Sequence, residues 1–517
     1  MSYLFNLGQF FSSIAHKNAS HNAIKTLNSE YFSFIELEKA SNRVANYIIG
    51  EGINKGDVIA ILNNKTFTAY AAMIACLKIG VVYTNLDPKS PVERFKKMLD
   101  VSAPKCIFYS GADAHDIINE VENGSILKTD YTSEQFQIET STLSDQALVV
   151  NQSVTSDNPA YIMFTSGSTG FPKGVVISHG SLINFINWSR ETYGISNNDV
   201  LTNLNPMHFD NSVFDFYASL FNGAAIIPAT EDLTINPRKL LDELNKLHPS
   251  IWFSVPSMLV YALNMRAIKE NDLPELRVVT FGGEGFPKNK LRELWSKWGN
   301  RVRFVNVYGP TEGTCICSSY DVSESDLNSD ELLPLGPIAP NFSAYILDEN
   351  NAIVGDEESG ELCIGGPNLA LGYFNNPPKT AEVFIQNPFV QSHTERIYRT
   401  GDLVSFNKEL NVFNFKGRKD NQIKRMGYRI ELEEIENAFN TIEYIEEAAV
   451  VYLDNPNYKS KIIACIKTVE SDETKIRNAV SKHLPQYMMP DLICFYDSLP
   501  KNQNGKIDRL AIKAAFN

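Results

Sequence analysis

Short apolar runs alternate with amphipathic helical patterns through the first part of the chain. The run from Val58 to Asn63 predicts a buried strand, and a predicted helix over Phe67–Ile79 and a strand over Val81–Tyr83 follow it. Strands that alternate with crossover helices favour largely parallel sheets covered on both faces, so we expect an α/β fold. Later stretches repeat this order, with predicted strands at Ala224–Pro228, Ile251–Ser254, Val278–Phe281 and Val302–Val305 and predicted helices at Pro237–Leu247 and Lys288–Lys297.

The pattern changes near Leu335, where glycine and asparagine interrupt short apolar runs such as Ala344–Leu347 and Gly360–Ile364. These runs predict a β-rich subdomain over roughly residues 335–415. The stretch Lys416–Asp420 is polar and contains glycine, which is typical of a joint between domains. A chain of 517 residues exceeds what one core usually supports. We therefore predict a large N-terminal domain, residues 1–418, and a small α+β C-terminal domain, residues 419–517.

Composition and charge narrow the classes of partner. The formal charge of −14 and the pI near 5.2 argue against a nucleic-acid partner, because such proteins present a basic face. The seven cysteines are scattered without a CxxC pair, so we interpret them as small buried residues in a reducing compartment. The start of the chain, Met1–Asn18, lacks the basic beginning of a signal peptide, and we interpret it as an amphipathic helix. No apolar stretch reaches about 18 residues, so we expect no membrane span and a cytoplasmic protein.

The segment Tyr161–Gly174 is the most informative part of the chain, because an apolar strand runs into a loop rich in hydroxyls and glycines with one lysine. Such a loop exposes backbone N–H groups and short hydroxyl donors, which suit a polyphosphate. It is not a Walker loop, since Pro172 stands where the second glycine should be and Gly174 follows the lysine. The alternative is a serine- and glycine-rich turn with no ligand.

This loop resembles the phosphate loop of the adenylate-forming superfamily, which contains acyl-CoA synthetases, luciferases and amino-acid adenylation domains. Four further segments match the family in the same order along the chain: Asn306–Glu312 resembles its adenine and metal segment, Tyr398–Asp402 its ribose segment, Gly417–Asp420 its hinge and Asn504–Arg509 its catalytic lysine motif. Each segment alone could be chance. Together they identify the chain as a member of the family, which implies ATP and Mg²⁺ as cofactors.

The resemblance implies a role for each matching residue. Lys506 would bridge the substrate carboxylate and the α-phosphate, Thr311 would contact the α-phosphate, and Glu312 would hold Mg²⁺. Tyr308 would stack on adenine and Asn306 would bind its amino group. The leaving pyrophosphate would lie against Thr165, Ser166, Ser168, Thr169 and Lys173, and the ribose hydroxyls would bind Asp402 and Arg418. Further contacts to ATP or AMP would come from Gly167, Gly170, Gly283, Glu284 and Gly309. Taken singly, Lys506 and Asp402 could be solvated surface charges, and Glu312 could cap a helix.

The segment Phe209–Tyr217 resembles the substrate-pocket helix of amino-acid adenylating enzymes. Its aspartate, Asp210, would pair with the α-ammonium of the substrate, because an unpaired buried ammonium costs several kcal/mol. The alternative is that Asp210 caps the following helix. The residues matched to the side-chain pocket are Asn211, Phe214, Ser254, Val279, Phe281, Val307, Cys315 and Ile316, which predict a small and mostly apolar substrate: alanine of either hand, glycine, serine or proline.

Details within the family point to a stand-alone enzyme similar to the adenylation domains of nonribosomal peptide synthetases and to D-alanine–carrier-protein ligases. The string Gly427–Glu436 is closer to the D-alanine ligases, and its Gly427 would line the thiol tunnel. Gly282, however, stands where those ligases usually carry cysteine. The stretch Lys424–Gly427 also departs from the Lys-Ile-Arg-Gly of peptide-synthetase modules, so its contacts to the carrier are expected to differ.

The resemblance also implies a two-step cycle, in which the small C-terminal domain is mobile and turns about Asp420 between adenylation and thioester formation. The chain stops soon after the lysine motif, so we expect the acceptor to be a separate phosphopantetheinylated acyl or peptidyl carrier protein. The main alternative is an acyl-CoA ligase that releases a free CoA thioester. A luciferase-like oxidative enzyme and a non-catalytic nucleotide-binding or scaffold protein are further alternatives.

Overall fold

The computed structural model describes residues 5–121, 124–148, 153–167, 171–453, 460–502 and 507–516. Its first layer is a sheet in the order β17 (Gly372–Tyr373), β8 (Lys173–Ser178), β7 (Pro159–Thr165), β4 (Val82–Leu86), β3 (Val58–Leu62), β5 (Cys106–Tyr109) and β6 (Leu127–Asp130). Its pairs from β7 to β6 are parallel. The elements of this region are α1 (Leu7–Lys17), β1 (Asn22–Lys25), β2 (Tyr31–Ser33), α2 (Phe34–Gly50), β3 (Val58–Leu62), α3 (Phe67–Ile79), β4 (Val82–Leu86), α4 (Val92–Ser102), β5 (Cys106–Tyr109), α5 (Ala112–Asn119), β6 (Leu127–Asp130), α6 (Glu134–Thr142), β7 (Pro159–Thr165), β8 (Lys173–Ser178) and α7 (His179–Tyr193).

The predicted unit of strand, helix and strand near the start of the chain is confirmed. Every residue of β3 is buried, as its continuous apolar run predicts for a strand covered on both faces. The helix α3 has the predicted bounds, because the Thr66 hydroxyl accepts the backbone N–H of Ala69 and Gly80 ends the helix with a left-handed φ of 74°. The strand β4 is longer than predicted, since Thr84 and Asn85 are buried although they are polar.

A second sheet packs beside the first, in the order β14-β13-β12-β11-β9-β10-β1-β2, with antiparallel strands at its edges. Its elements are β9 (Val200–Asn203), α8 (Asn211–Val213), β10 (Ala225–Pro228), α9 (Glu231–Thr234), α10 (Pro237–Leu247), β11 (Ile251–Ser254), α11 (Pro256–Asn264), β12 (Val278–Gly282), α12 (Lys288–Trp298), β13 (Arg303–Tyr308) and β14 (Ser318–Asp321). These sheets and their helices confirm the predicted α/β fold.

Antiparallel strands follow, in the region where the pattern changes. The elements here are β15 (Ser343–Leu347), β16 (Gly360–Gly365), β17 (Gly372–Tyr373), α13 (Pro377–Val383), β18 (Phe384–Gln386), β19 (Arg396–Asn407) and β20 (Val412–Arg418). They form a sheet in the order β15-β16-β19-β18, with β20 also paired to β19, while β17 extends the first sheet. We call the described residues up to Arg418 the N-terminal unit.

The remaining described residues, from Lys419 onward, form what we call the C-terminal unit. Its elements are β21 (Gln422–Arg425), β22 (Tyr428–Glu431), α14 (Leu432–Asn440), β23 (Ile445–Leu453), β24 (Lys461–Thr468), α15 (Glu473–Val480), β25 (Leu492–Phe495) and α16 (Arg509–Ala514). The strands β23, β24 and β25 form one sheet, with α14 and α15 packed on one face and α16 on the other. Among the helices of the described residues, none has both the length and the apolar character needed to cross a bilayer.

Candidate active site

A cleft opens at the carboxyl ends of β7, β12 and β13, and the β21–β22 hairpin of the C-terminal unit completes its wall. Its cavity volume is about 80 Å³, and part of it is open to solvent. Crevices at this edge of α/β sheets are common ligand sites. The sequence-predicted residues that line the cleft are Thr165, Ser166, Asp210, Asn211, Gly283, Val307, Tyr308, Gly309, Thr311, Cys315, Ile316, Asp402, Arg418 and Gly427.

Other predicted residues lie next to the cleft but do not line it: Gly167, Lys173, Glu284, Asn306, Glu312 and Asp420. Four more, Ser168, Thr169, Gly170 and Lys506, lie outside the described residues. The amide nitrogen of Asn306 donates to the carbonyl oxygen of Pro334 at 2.8 Å, so the hydrogen bond predicted to adenine would require that contact to break.

Of the described residues in the segment predicted to hold phosphate, Ser166, Gly167 and Lys173 contact the C-terminal unit. The Ser166 hydroxyl donates to the backbone oxygen of Arg429 at 2.8 Å. The N–H of Gly167 donates to the carboxylate of Glu434 at 3.2 Å, and Lys173 Nζ lies 3.5 Å from the carboxylate of Glu431. Burial lowers the pKa of Lys173, and the nearby Arg429 adds to this effect. The described residues of this segment therefore offer hydrogen-bond donors and a positive charge that can bind acidic groups.

The residues predicted for adenine and ribose come together across the cleft. The Tyr308 hydroxyl donates to Asp402 at 2.5 Å, and Arg418 donates to the other oxygen of the same carboxylate at 2.5 Å. Lys424, which was not predicted as a site residue, places its ammonium 5.0 Å from the centre of the Tyr308 ring. An aromatic face, a carboxylate and a guanidinium in one place fit a nucleoside.

The carboxylate of Glu312 is fully buried, and both of its oxygens have partners. One accepts the Tyr373 hydroxyl at 2.7 Å, and the other accepts Arg429 at 2.8 Å. Burial alone would raise the pKa of Glu312, but the charges of Arg429 and Lys173 outweigh it and lower that pKa to about 2. No cluster of three metal-ligating side chains occurs in the described part of the chain. Mg²⁺ commonly takes one or two carboxylates together with substrate phosphates, so a lone ionised Glu312 fits this ion once Arg429 withdraws.

Asp210 faces the cleft at the start of α8. Its side chain makes no capping hydrogen bond to the helix, and it accepts the Thr311 hydroxyl at 2.5 Å. The capping role considered as the alternative is therefore absent from this arrangement. Burial raises the pKa of Asp210. A half-buried carboxylate with one hydroxyl partner can still accept hydrogen bonds from a cationic ligand.

Part of the predicted side-chain pocket needs correction. Val279 and Phe281 point into a second core between the sheet and its outer helices, where the Phe281 ring packs 4.8 Å from that of Phe286. Successive side chains of a strand alternate between faces, so both residues of β12 point away from the cleft. Phe214 and Ser254 also lie behind the wall, and Phe253 stands in front of Phe214 with their rings 5.1 Å apart.

Gly282 lines the cleft at the end of β12, opposite Val307 of β13. A β-carbon at this position would lie 2.4 Å from the backbone oxygen of Val307 and 2.7 Å from its side chain. No residue larger than glycine fits this backbone without a shift of β13.

The hairpin β21–β22 brings the predicted tunnel residue to the cleft. Met426 and Gly427 form its turn with φ values of 52° and 78°, and the N–H of Gly427 donates to Glu284 at 3.2 Å. Asp420, the predicted pivot, accepts two hydrogen bonds from Arg418 at 2.6 Å. Of the segment around Lys506, the flanking residue Ile507 packs on the side of the C-terminal sheet that also holds Ile512.

Sequence reasoning missed several residues of the cleft wall: Arg94, Phe209, Phe253, Gln422, Lys424, Arg429 and Tyr487. The sequence contained a signal that could have identified Arg429, because this residue lies inside the string from Gly427 to Glu436 that resembles the D-alanine ligases. Arg94 had none, since it is one of several charged residues on the amphipathic helix α4.

Comparison with known proteins gives concordant matches over nearly the whole chain. The profile of the family described as AMP-binding enzyme matches residues 11–374, and that of the AMP-binding enzyme C-terminal domain matches residues 434–506. D-alanine–D-alanyl carrier protein ligase of Lacticaseibacillus rhamnosus is 32% identical over 495 residues, which cover 94% of each chain.

Two further matches differ in how much of the matched protein they cover. Bacitracin synthase 3 of Bacillus licheniformis is 33% identical over 509 residues, which are 98% of this chain but 8% of the synthase. The chain thus spans less than a tenth of that relative's length. The structure of an artificially fused adenylation–PCP di-domain NRPS from Klebsiella oxytoca has a TM-score of 0.81 at 22% identity, and covers 95% of this chain and 94% of that one. At this identity the match shows a shared fold.

Proposed function

Because the chain belongs to the AMP-binding enzyme family, as its motifs predict, we propose that it activates a small amino acid with ATP and passes the acyl group to a carrier thiol. The observation that carries the proposal is the half-buried carboxylate of Asp210, which faces the same cleft as Tyr308 and Asp402. A carboxylate at this place suits the α-ammonium of an amino acid beside a nucleotide.

In the first step the amino-acid carboxylate attacks the α-phosphorus of ATP. A new P–O bond forms, the bond to the β-phosphate oxygen breaks, and pyrophosphate leaves with that electron pair. Asp210 holds the ammonium of the substrate, and Thr311 donates to the developing charge. Tyr308, Asp402 and Arg418 hold the nucleoside. We assign the remaining positive charge to Lys506, because this residue belongs to the family's catalytic lysine motif.

Hydrogen-bond donors for pyrophosphate lie at the end of β7, directly after it and at the start of β8. The Thr165 hydroxyl is buried and has no hydrogen-bond partner among the described residues, so it can donate to a phosphate oxygen without breaking another bond. Ser166, Gly167 and Lys173 can turn from the C-terminal unit to the same anion, and Ser168, Thr169 and Gly170 belong to the same family motif. When bound at Glu312, Mg²⁺ would neutralise phosphate charge. The ionised state of Glu312 supports this assignment.

In the second step a phosphopantetheine thiol attacks the acyl carbon, the new C–S bond forms, and AMP leaves. The position of the Gly427 turn against the cleft supports this turn as the wall of the thiol's path. Residues 419–517 would act as a mobile domain that turns about Asp420, which places Lys506 in the cleft for the first step and the hairpin there for the second.

The surfaces around Asp210 are mostly apolar, which supports alanine of either hand, glycine, serine or proline as the substrate. Val307, Cys315, Ile316 and Phe253 are the apolar surfaces around Asp210 and Asn211. Gly282 lacks space for the cysteine of D-alanine ligases, which argues against a pocket of that kind.

A panel of ATP–pyrophosphate exchange assays over L- and D-amino acids tests the first step. We expect exchange with small amino acids. Exchange confined to bulky or acidic amino acids would contradict the proposed substrate class. Exchange with acids that lack the ammonium, at the same rate, would contradict the role of Asp210.

The alternative acceptor is free CoA, which an acyl-CoA ligase would use. The carboxylate of Asp210 disfavours an acyl-CoA ligase, since acids without an ammonium would offer it no counter-charge. Incubation of enzyme, ATP and substrate with free CoA or with phosphopantetheinylated carriers separates the two. Thioester formation on free CoA alone would replace the carrier assignment.

A further inference from the structure

A histidine lies beside the cleft and has no part in the mechanism described above. His208 stands between β9 and α8, two residues before Asp210, and the next residue, Phe209, lines the cleft. The ring centres of His208 and Phe209 are 4.4 Å apart. The Phe209 ring in turn lies 4.9 Å from that of Tyr428, which directly follows the Gly427 turn. The imidazole is therefore one side chain away from the proposed path of the thiol.

The His208 ring lies against a carboxylate from the first sheet. Asp87 directly follows β4, and its carboxylate oxygen lies 3.9 Å from His208 Nε2. Each of the two side chains keeps 23% of its surface exposed, so the pair is sheltered but can still be reached by a small group. A carboxylate on this side of the ring favours a proton on Nε2, which leaves Nδ1 free to accept another proton.

The surroundings of His208 favour the neutral imidazole. Burial is the largest influence on the pKa of His208 and lowers it. The carboxylates of Asp87 and of Glu231, at the start of α9, act in the opposite direction. The cations of Lys65, after β3, and of Arg94, on α4, lower the pKa further. The net pKa is lowered, so the ring is neutral near pH 7, and this is the form that can accept a proton.

The thiol-transfer step calls for a proton acceptor. A free alkyl thiol has a pKa of about 8.5, and the nucleophile is the thiolate, which is a minor form at neutral pH. The carboxylates at the cleft are already engaged, since Asp210 is assigned to the substrate ammonium and Asp402 pairs with a hydroxyl and a guanidinium. Glu284 accepts two backbone N–H groups. The ring nitrogens of His208, in contrast, have no hydrogen-bond partner among the described residues.

We infer that His208 is the general base of the thiol-transfer step and that Asp87 stabilises the imidazolium that forms. This inference rests on the proposed function. The thiol proton passes to His208 Nδ1, the sulfur attacks the acyl carbon, and a C–S bond forms. The C–O bond to AMP breaks, AMP leaves with that electron pair, and the imidazolium then releases its proton to solvent.

Replacement of His208 with glutamine removes the base and keeps a polar side chain of similar size. Single-turnover transfer from preformed aminoacyl adenylate to pantetheine measures the thiol step alone. We expect this rate to fall about a hundredfold in H208Q at neutral pH, as for the loss of other general bases. The rate of ATP–pyrophosphate exchange should fall far less, because exchange involves no thiol.

The pH profile of transfer distinguishes a base from a residue that only supports the fold. In the wild type the rate should rise with pH and level off above the pKa of His208. In H208Q it should continue to rise until the thiol itself ionises. D87N should move the rising limb of the profile to lower pH, since the Asp87 carboxylate raises the pKa of the imidazole.

Chemical rescue supplies a second readout. Imidazole in solution should accelerate transfer in H208A in proportion to its concentration and should leave the wild type unchanged. The matched control is H393Q, because His393 also faces a carboxylate, Glu395 at 3.7 Å, in the segment between β18 and β19. H393Q should match the wild type in both rates and in the pH profile. Thermal unfolding checks each variant, and D87N serves if the variants of His208 are unstable.

The outcomes separate the inference from the proposed function. Wild-type transfer and an unchanged pH profile in a folded H208Q, with intact exchange, would overturn the inference and leave the proposed function standing. Equal loss of exchange and transfer in H208Q, without rescue of H208A by imidazole, would also overturn it. If the wild type neither exchanges pyrophosphate with any amino acid nor forms a thioester, the proposed function falls together with the inference.

Discussion

At the scale of single residues, Asp210 is half-buried, accepts one hydroxyl group and lines the cleft. Replacement with asparagine removes the negative charge and keeps the shape. We expect kcat/KM for the amino acid to fall on the order of a thousandfold in D210N, because a buried ammonium would lose its counter-charge. ATP binding should change little. D232N on the exposed start of α9 is the matched control. If the affinity for the amino acid stays unchanged in D210N, Asp210 does not bind the substrate ammonium.

The raised pKa of Asp210 also predicts a pH dependence. Only the ionised carboxylate pairs with an ammonium, so kcat/KM for the amino acid should fall as the pH drops through the pKa of Asp210 in the free enzyme. Since burial raises this pKa, the fall should begin at a higher pH than for an exposed aspartate. The profile of D210N should lack this limb, and an identical limb in the variant would assign it to another group.

Residue types identified much of the site, but side-chain direction needed the structure. Tyr308, Asp402 and Arg418 were predicted from separate motifs, and they meet at hydrogen-bond distance. Val279 and Phe281 were matched to the pocket as well. Side chains alternate between the two faces of β12, and both of these residues point into the second core. The sequence of the strand does not reveal which of its faces borders the cleft.

At the scale of elements, the β21–β22 hairpin makes a closely fitted contact with the N-terminal unit. A β-carbon on Gly427 would lie 2.2 Å from Val255 Cγ1, and its φ of 78° disfavours other residues. We expect G427A to slow thioester formation about tenfold or more through this strain and clash, and to leave adenylation near the wild-type rate.

The neighbouring position supplies the control for that change. Met426 has a φ of 52° and is 57% exposed, so M426G should retain both half-reactions. Single-turnover assays of adenylate formation and of transfer to the carrier give the two rates. Equal loss of both in G427A would contradict a role confined to the docked hairpin.

Helices with strong end signals were predicted well, and segments with buried polar groups were not. The helix α10 has its predicted bounds because Asn236 caps its start, Pro237 begins it and its apolar face is regular. The helix predicted after Phe209 becomes a short α-turn and then a π-helical turn, Phe214–Ala218. There Asp215 is buried and accepts amide groups of Asn203 and Asn205, a long-range contact that local periodicity cannot encode.

At the scale of the whole molecule, Asp420 joins the two units through its pair with Arg418. Proline at this position would restrict the backbone of the short joint between β20 and β21. We expect D420P to retain adenylation and to lose most thioester formation. D420N tests the charge without the backbone restriction, and equal loss of both half-reactions in D420P would count against a turn of the C-terminal unit.

The pair of Glu312 and Arg429 crosses the same boundary and predicts acid sensitivity. The pKa of Glu312 is lowered from 4.5 to about 2, so its contribution is complete above pH 4.5 and is lost as the pH falls from there toward 2. The contribution is on the order of 3 kcal/mol. Denaturant unfolding at several pH values should show the wild type more stable than E312Q at neutral pH, with the difference shrinking across that window. A constant difference would contradict the lowered pKa.

The contacts between units were the least predictable part of the molecule. The positions of Arg94 and Glu434 are far apart in the chain, and neither belongs to a motif that names the other as its partner. Their contact depends on how the N-terminal and C-terminal units are placed relative to each other, which the hydrophobic periodicity within one unit does not describe.

Gly282 also limits how the substrate preference of this cleft could be redesigned. Since the β13 backbone fills the space beside it, a mutagenesis library should keep this position constant. Cys315 and Ile316 are better positions to vary, because they line the cleft from the segment between β13 and β14. Variants that prefer a different substrate, whether they are selected in the laboratory or arise in nature, should therefore change the segment with Cys315 and Ile316 before they change Gly282 at the end of β12.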